Sequence, residues 1–218
     1  MKPYQLPIAL QMPEPDKLIS YLSSLGYSAF LSKDGISLTG NHSIKNTNQG
    51  LLLRPIRSDE KKKILEFQKE VLDGIPNNRE ENLCEALTEK EVVHSLEQDV
   101  FLGLFQEDRL VAFILFIPHP LPEQNLFLDL TVPVPGGQEN VIIVDCILVG
   151  KEYRGYGIQQ FLFRIAEFWA ISHEIPMLAG VASPKNLHSN ANFQKSDYQL
   201  VATKPKYHSV RNYYLRKL

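Results

Sequence analysis

The stretch VDCILVGKEYRGYGIQQFLFRIAEFW joins an apolar run ending at Val149 to an amphipathic helical pattern, through a turn that holds Arg154, Gly155 and Gly157. Glycines at such a junction let the backbone curl so that consecutive N–H groups point outward at a helix N-terminus, where partial positive charge suits a phosphate or pyrophosphate. The same turn also serves as an ordinary connector. Two other phosphate motifs are excluded. A P-loop needs Gly-Lys-Ser/Thr, whereas Gly150-Lys151 is followed by Glu152. A dinucleotide fingerprint needs a third glycine, whereas Gly155-Tyr156-Gly157 runs on to Ile158, Gln159 and Gln160.

Asp145 lies four residues before Val149 in an otherwise apolar strand. Burial there raises a carboxyl pKa toward that of a useful general base. The alternatives are water ordering, a structural hydrogen bond, or exposure at the strand surface. Glu139 is a looser candidate just before the strand. Strict alternation turns Cys146 to the face opposite Asp145, as a small core residue. His94 and His173 read as structural groups on or near helices, while His188 and His208 lie nearer the C-terminal motifs. The last stretch carries Lys204, Lys206, Arg211, Arg216 and Lys217 with no acid, which suits a phosphate, an acidic substrate or a solvated basic face.

The elements that must position these residues can be read in order. DKLISYLSSL forms a short amphipathic helix, and YSAFL and ISLTG a small hairpin; the polar run from Gly40 to Gly50 is a linker. LLLRPI is a strand, and Ser58 is the N-cap of a helix through Leu72 that closes near Gly74. Thr88 and Glu91 make a capping box for a second helix. VFLGLFQ and LVAFILFI form a buried hairpin around EDR. Residues 118–137 interrupt the pattern, with an edge strand expected over 126–130. VIIVDCILV is a strand, residues 156–172 are a helix, MLAGVAS is a strand, NLHSNANFQKS is a short helix, and YQLVAT and SVRNYYLRKL are final strands.

With the elements in this order, Val149 followed by KEYRGYGI resembles motif A of the GNAT superfamily of N-acetyltransferases, whose core is Arg/Gln-x-x-Gly-x-Gly/Ala. Gln159 stands where that family has a small residue. SPKNLHSNANFQKSDYQLV resembles its motif B, with Asn186 as the asparagine, Ser189 as the small residue three further on, and Asp197-Tyr198 in place of Gly-Phe. The resemblance spans residues 51–218. It implies acetyl-CoA as co-substrate, with Ile147, Leu148 and Val149 pairing with the pantetheine amides. Arg154, Gly155, Tyr156, Gly157, Ile158 and Gln159 would hold the pyrophosphate, and Asn186 and Ser189 would flank the pantetheine arm. An open strand edge and a helix N-terminus are the right physical devices for the first two roles. The family's tyrosine acid falls at Phe193, which cannot donate a proton. Tyr198, Tyr207, Tyr213 and Tyr214 are substitutes, Tyr207 foremost because it lies in the loop-like KPKYHS, and water is the other proton source.

These readings give an α/β (α+β) fold with a mixed, mostly antiparallel sheet flanked by helices. Residues 1–49 form a small α+β appendage and linker, and residues 50–218 the acetyltransferase domain. The expected activity is acetyl transfer from acetyl-CoA to an amine in a ternary complex, the acceptor being a small molecule, amino acid or peptide. The alternative is a silent acyl-CoA sensor or interaction module. The 218 residues carry 23 Lys plus Arg against 25 Asp plus Glu, a net charge of -2 that offers no field for nucleic acid or an acidic membrane. The two cysteines, Cys84 and Cys146, have no metal-type spacing, so no metal is expected. The N-terminus lacks a signal-peptide pattern and no window has the length of a membrane span, which leads us to expect a cytoplasmic monomer or homodimer.

Overall fold

The structure is a computed structural model of the chain, and it describes residues 14–39, 50–118, 120, 124–126, 130, 132–137, 140–206 and 209–218. The chain begins with α1 (Pro15–Ser24), β1 (Ser28–Ser32) and β2 (Gly35–Thr39). Next come β3 (Leu51–Pro55), α2 (Lys61–Asp73), α3 (Asn78–Glu81) and α4 (Glu89–Gln98). The hairpin β4 (Val100–Gln106) and β5 (Arg109–Ile117) leads to β6 (Ile142–Val149) and α5 (Ile158–Ser172). The chain closes with β7 (Met177–Ala182), α6 (Leu187–Lys195), β8 (Gln199–Lys206) and β9 (Ser209–Lys217). All nine strands join one sheet in the order β1-β2-β3-β4-β5-β6-β7-β9-β8, and only β6 and β7 run parallel. A mixed, mostly antiparallel sheet is therefore what the alternating pattern produces.

Helices cover both faces. The central strand β5 is buried at every residue after Arg109, as its unbroken apolar run requires of a strand covered on both sides. On one face α5 packs Ile158, Phe161, Leu162 and Ile165 into the largest cluster. On the other, Ile64, Phe67 and Val71 of α2 and Val92 and Leu96 of α4 meet Phe101 and Phe113. The N-terminal hairpin continues this sheet, with Ile36 opposite Leu53 and Leu38 opposite Leu51. Tyr21 of α1 sits 5.0 Å from the Phe168 ring of α5, and Tyr27 sits 5.1 Å from Phe161. An ion-pair network joins these layers: Glu167 bonds Arg216 and, at 2.7 Å, Arg164, which reaches Asp197 at 3.3 Å.

Local details depart from the sequence expectations. Ser58 does not cap a helix; it opens a 3-10 turn (Ser58–Glu60) that feeds α2. Glu60 is bound there by Arg54 at 2.7 and 2.8 Å. Helix α5 starts at Ile158 because Gly157, in the left-handed region at φ 77°, is its N-cap. Leu126 and Leu130, the ends of the expected edge strand, are turn residues, and the stretch between them lies outside the described residues, as does the 40–49 linker. Asp197 adopts φ 64°, which explains why it stands where the family has glycine: aspartate tolerates the left-handed region better than most residues. The terminal basic run does not form one basic face. Arg211 and Arg216 are both buried, and their sequence parity sends them to opposite sides of β9.

Candidate active site

β6 and β7 pair only from Ile142 opposite Leu178 to Val144 opposite Gly180. At that point β6 carries an extra residue: Cys146 faces Leu115 and Val144 faces Phe116, which leaves Asp145 as a β-bulge. Beyond it the two strands separate, and a cavity of about 530 Å³ opens between them. Its wall is drawn from both sides of the sheet: Gln159, Asn186, Ser189 and Phe193 on the α5–α6 side, and residues 83–87 with Lys90, Glu91 and His94 on the α4 side. The gap is thus a passage through the sheet.

The bulge overturns the expectation for Cys146. Before it, Ile142 and Val144 pack into the α5-side cluster; after it, Ile147 and Val149 do so, while Cys146 and Leu148 join the α2–α4 cluster. The inserted residue shifts the alternation by one, so Asp145 and Cys146 both line the cavity. Burial pushes the Cys146 thiol well up, and the neighbouring Asp145 and Cys84 push further, so it stays protonated.

Asp145 is exposed to the open space of the cavity, whose walls crowd the carboxyl with protein atoms and partly screen it from water. That desolvation, with the carboxylates of Asp99 and Glu91 nearby, raises its carboxyl to about 6. Asp99, the C-cap of α4, is itself raised by burial, offset by a Ser95 hydrogen bond and the charge of His94. Its Oδ2 is buried without a hydrogen-bond partner among the described residues. Sequence reasoning missed Glu91, His94 and Asp99 as neighbours of the site. The signal was present: the Thr88–Glu91 capping box, with bonds of 2.7 and 3.3 Å, fixes where α4 starts, and Lys90, Glu91 and His94 share one helical face.

At the other mouth, Gly155 and Gly157 have φ of 82° and 77°. A Cβ on Gly155 would meet nothing within 4 Å, so this glycine answers to backbone conformation and not to space. The first bond closing α5 is Phe161 N–H to the Gly157 carbonyl, 2.9 Å, which leaves the N–H groups of Ile158, Gln159 and Gln160 pointing off the helix end. Arg154 donates to the carbonyls of Val149 (3.2 Å) and Val71 (3.4 Å), tying the turn to the end of β6 and to α2. Tyr156 packs against the core and Ile158 is buried in it. Gln159, the unusual sixth residue, accepts from the Asn192 amide at 2.6 Å, and Gln160 donates to the same side chain at 3.3 Å, linking α5 to α6.

Ile147, Leu148, Gln159, Asn186 and Ser189 thus lie on the cavity wall with Asp145, whereas Val149 and residues 154–158 form the turn beside it. Asn186 caps α6 by accepting from Ser189 N–H at 3.1 Å, and its amide donates to the Cys84 Sγ at 3.3 Å and the Leu83 carbonyl at 3.5 Å. Phe193 packs against Gly180, whose absent Cβ makes room for it, and stacks on Tyr214 at 4.5 Å. Tyr198 and Tyr213 are core residues, and the Tyr214 hydroxyl donates to Asn190 Oδ1 at 2.7 Å. Tyr207, His208 and Glu139 lie outside the described residues.

Residues 82–87 form a strap over the α4-side mouth. Gln68 grips Leu87 through both its N–H and its carbonyl (3.0 and 2.7 Å), and Asn78 grips Cys84 likewise (2.8 and 3.1 Å). Arg211 of β9 donates to the Asn82 carbonyl at 3.0 Å and to Glu85 at 3.1 Å. Among the described residues no cluster of His, Cys, Asp and Glu is placed to hold a metal, and no helix is long and apolar enough to cross a membrane.

No curated protein sequence matches the chain. Solved structures match its fold. An acetyltransferase of the GNAT family from Streptococcus pneumoniae superposes with a TM-score of 0.56 at 14% identity, over 77% of this chain and 99% of that one. The paia N-acetyltransferase from Thermoplasma acidophilum, in complex with coenzyme A, gives 0.54 at 14% identity over 77% and 99%. The yncA acetyltransferase from Salmonella typhimurium, with its cofactor acetyl-CoA, gives 0.56 at 9% identity over 77% and 93%. The family model of the acetyltransferase (GNAT) family matches residues 65–198, more than half of the sequence, and that stretch holds the split strands, the bulged aspartate and the glycine turn. The chain belongs to the GNAT acetyltransferase family.

Proposed function

We propose that this protein, with residues 50–218 as its catalytic domain, transfers the acetyl group of acetyl-CoA to the amine of a small molecule, amino acid or peptide within one ternary complex. The observation that carries this reading is the separation of β6 from β7 at the Asp145 bulge, which connects an anion-binding helix end to a carboxylate of raised pKa through one cavity. When bound, acetyl-CoA supplies the activated thioester. The N–H groups at the start of α5 suit its pyrophosphate. The edge of β6 from Ile147 to Val149, which β7 has left, offers backbone groups to the pantetheine amides, with Asn186 and Ser189 flanking that arm.

Asp145 is the proposed general base. It takes a proton from the acceptor ammonium, the freed nitrogen attacks the thioester carbonyl, the C–N bond forms and the C–S bond breaks, and the nitrogen gives its second proton to water as the amide forms. The leaving thiolate needs a proton. Tyr198, Tyr213 and Tyr214 are committed to the core or to Asn190, so Tyr207 or water is its source. A cytoplasmic setting fits two free cysteines.

Phe193, standing where the resemblance implied a tyrosine acid, favours a second reading, an acyl-CoA sensor that does not turn over. Calorimetric titration with acetyl-CoA and free CoA, followed by an assay of thiol release with amines, separates the two. Binding with release supports the transferase, binding without release on any amine supports the sensor, and absence of binding removes both.

A further inference from the structure

The face of the sheet toward α4 carries opposite charges on two sides of one strand. Ile143 and Tyr213 pack in the same cluster, so the face they share continues to Asp145 on β6 and to Arg211 on β9, two residues from Tyr213. Between them β7 contributes Val181, which packs on that same side and lines the cavity. β7 lies between β6 and β9 in the strand order, and the cavity opens where β6 leaves β7. The long Arg211 side chain points along this face to the strap, and both it and Asp145 line the cavity.

Arg211 is a charge that has been taken out of water. Its side chain is 5% exposed, and a guanidinium so placed requires an anionic partner. Two carbonyls, those of Asn82 at 3.0 Å and Val210 at 3.3 Å, fix Nη1 and orient the plane. Among the described residues, the carboxylate that Nη2 meets is Glu85, at 3.1 Å, and Glu85 is a strap residue with a side chain 45% exposed. Glu85 can therefore leave for solvent by giving up two hydrogen bonds at a partly exposed position, from Arg211 and from the Asn82 amide, while another carboxylate takes its place on a guanidinium already held in position.

We propose that Arg211 binds the carboxylate of the acceptor, with Glu85 holding its place between turnovers, so that the acceptor is a free amino acid or a similarly small molecule bearing both an amine and a carboxylate. The acceptor would span the cavity with its carboxylate on Arg211 and its amine toward Asp145. The strap over this mouth is tied by Gln68, Asn78, Asn186 and Arg211. This inference rests on the acetyl-transfer reading and names its acceptor class.

The test compares matched acceptors that differ only in the carboxylate: L-leucine with isopentylamine, L-phenylalanine with phenethylamine, and L-lysine with cadaverine. CoA release is measured at saturating acetyl-CoA, with acetyl-CoA binding measured separately by calorimetry. The full chain should prefer the carboxylate-bearing member of at least one pair by about 100-fold in kcat/KM, the scale of a lost charged hydrogen bond. Arg211→Gln should abolish that preference by raising KM for the carboxylate-bearing member far more than for its decarboxylated amine. Because Arg211→Gln also loosens the strap, Glu85→Gln is the companion variant: it keeps the guanidinium and removes its competitor, and KM for the amino acid should fall several-fold. A merely structural Arg211 would weaken both members of a pair alike, and Glu85→Gln would then raise KM. The proposal is overturned if no carboxylate-bearing member is preferred, including the case in which none is acetylated, or if the preference survives in Arg211→Gln. Acetyl-CoA binding with turnover of carboxylate-free amines alone would leave acetyl transfer standing and remove only the acceptor assignment, whereas absence of acetyl-CoA binding would remove both.

Discussion

On the α5 side of the sheet, the glycine turn beside the cavity is one continuous stretch, from the end of β6 to Gln159, and Asn186, Ser189 and Phe193 complete that wall. On the α4 side the mouth is assembled from a helix face, a bulged residue on β6, a strap and a strand near the C-terminus, and its longest tie, Arg211 to Asn82, spans 129 positions. The first mouth is backbone chemistry: left-handed glycines and helix-end N–H groups, which on the proposed reading take the pyrophosphate whatever the neighbouring side chains. The second is side-chain chemistry, with carboxylates, a histidine and a buried guanidinium. The difference teaches how a family keeps one co-substrate and changes acceptors. A locally encoded mouth is hard to alter without breaking the turn, whereas a mouth gathered from distant residues can be rewritten one position at a time.

If the two mouths are separate devices, variants should damage one function and spare the other. The largest effect is expected from Asp145→Asn, which should lower kcat by about 10²–10⁴-fold, the usual worth of a positioned general base. Acetyl-CoA affinity measured by calorimetry should stay within a few-fold; a parallel loss of affinity would merge the two mouths into one. In the wild type, the rate should rise with pH up to a plateau above about 6, because the base acts only once its carboxyl is ionised.

Gly157→Val is the converse. A β-branched residue held at φ 77° carries strain of about 1–3 kcal/mol, so acetyl-CoA affinity should fall by one to two orders of magnitude in a chain whose circular dichroism is unchanged. Retained affinity would show that the turn is only a connector. Asn186→Ala sharpens the comparison, because this side chain touches both regions. Loss of the α6 cap should reduce stability by about 1 kcal/mol in denaturant titration, and the freed strap should raise KM for the acceptor more than Kd for acetyl-CoA.

The smallest effect is one of stability. The Asp145 carboxyl titrates near 6 in the folded chain against an ordinary value of 3.8, so the unfolded chain loses its proton first and folding weakens as pH rises between these values. Asp145→Asn should therefore raise Tm relative to wild type at pH 7 and match it at pH 3. A variant less stable at both pH values would mean that the aspartate is held for structure.

Much of the fold could be read from local pattern. The hairpin of β4 and β5, the capping box at Thr88, and the strand-turn-helix passage into α5 all follow from spacing and turn chemistry, and all three are present. The readings that changed were those that alternation or a single residue type could not decide. Ser58 looked like a cap, but a buried Arg54–Glu60 pair sets the start of α2 instead. Cys146 moved to the cavity because a bulge opposite Leu115 and Phe116 shifts the register, and no residue type in β6 announces it. The C-terminal cations looked like a surface run, yet Arg211 and Arg216 are buried against partners far away in sequence.

The sequence by itself determined the element order, the apolar faces and the glycine turn into α5, since periodicity, capping and backbone conformation act over a few residues and are written locally. Only the tertiary structure decided where β6 leaves β7, which carboxylates surround Asp145, and that Arg211 and a strap close the far mouth. Those depend on register, on strand order and on desolvation, which arise from which distant segments meet.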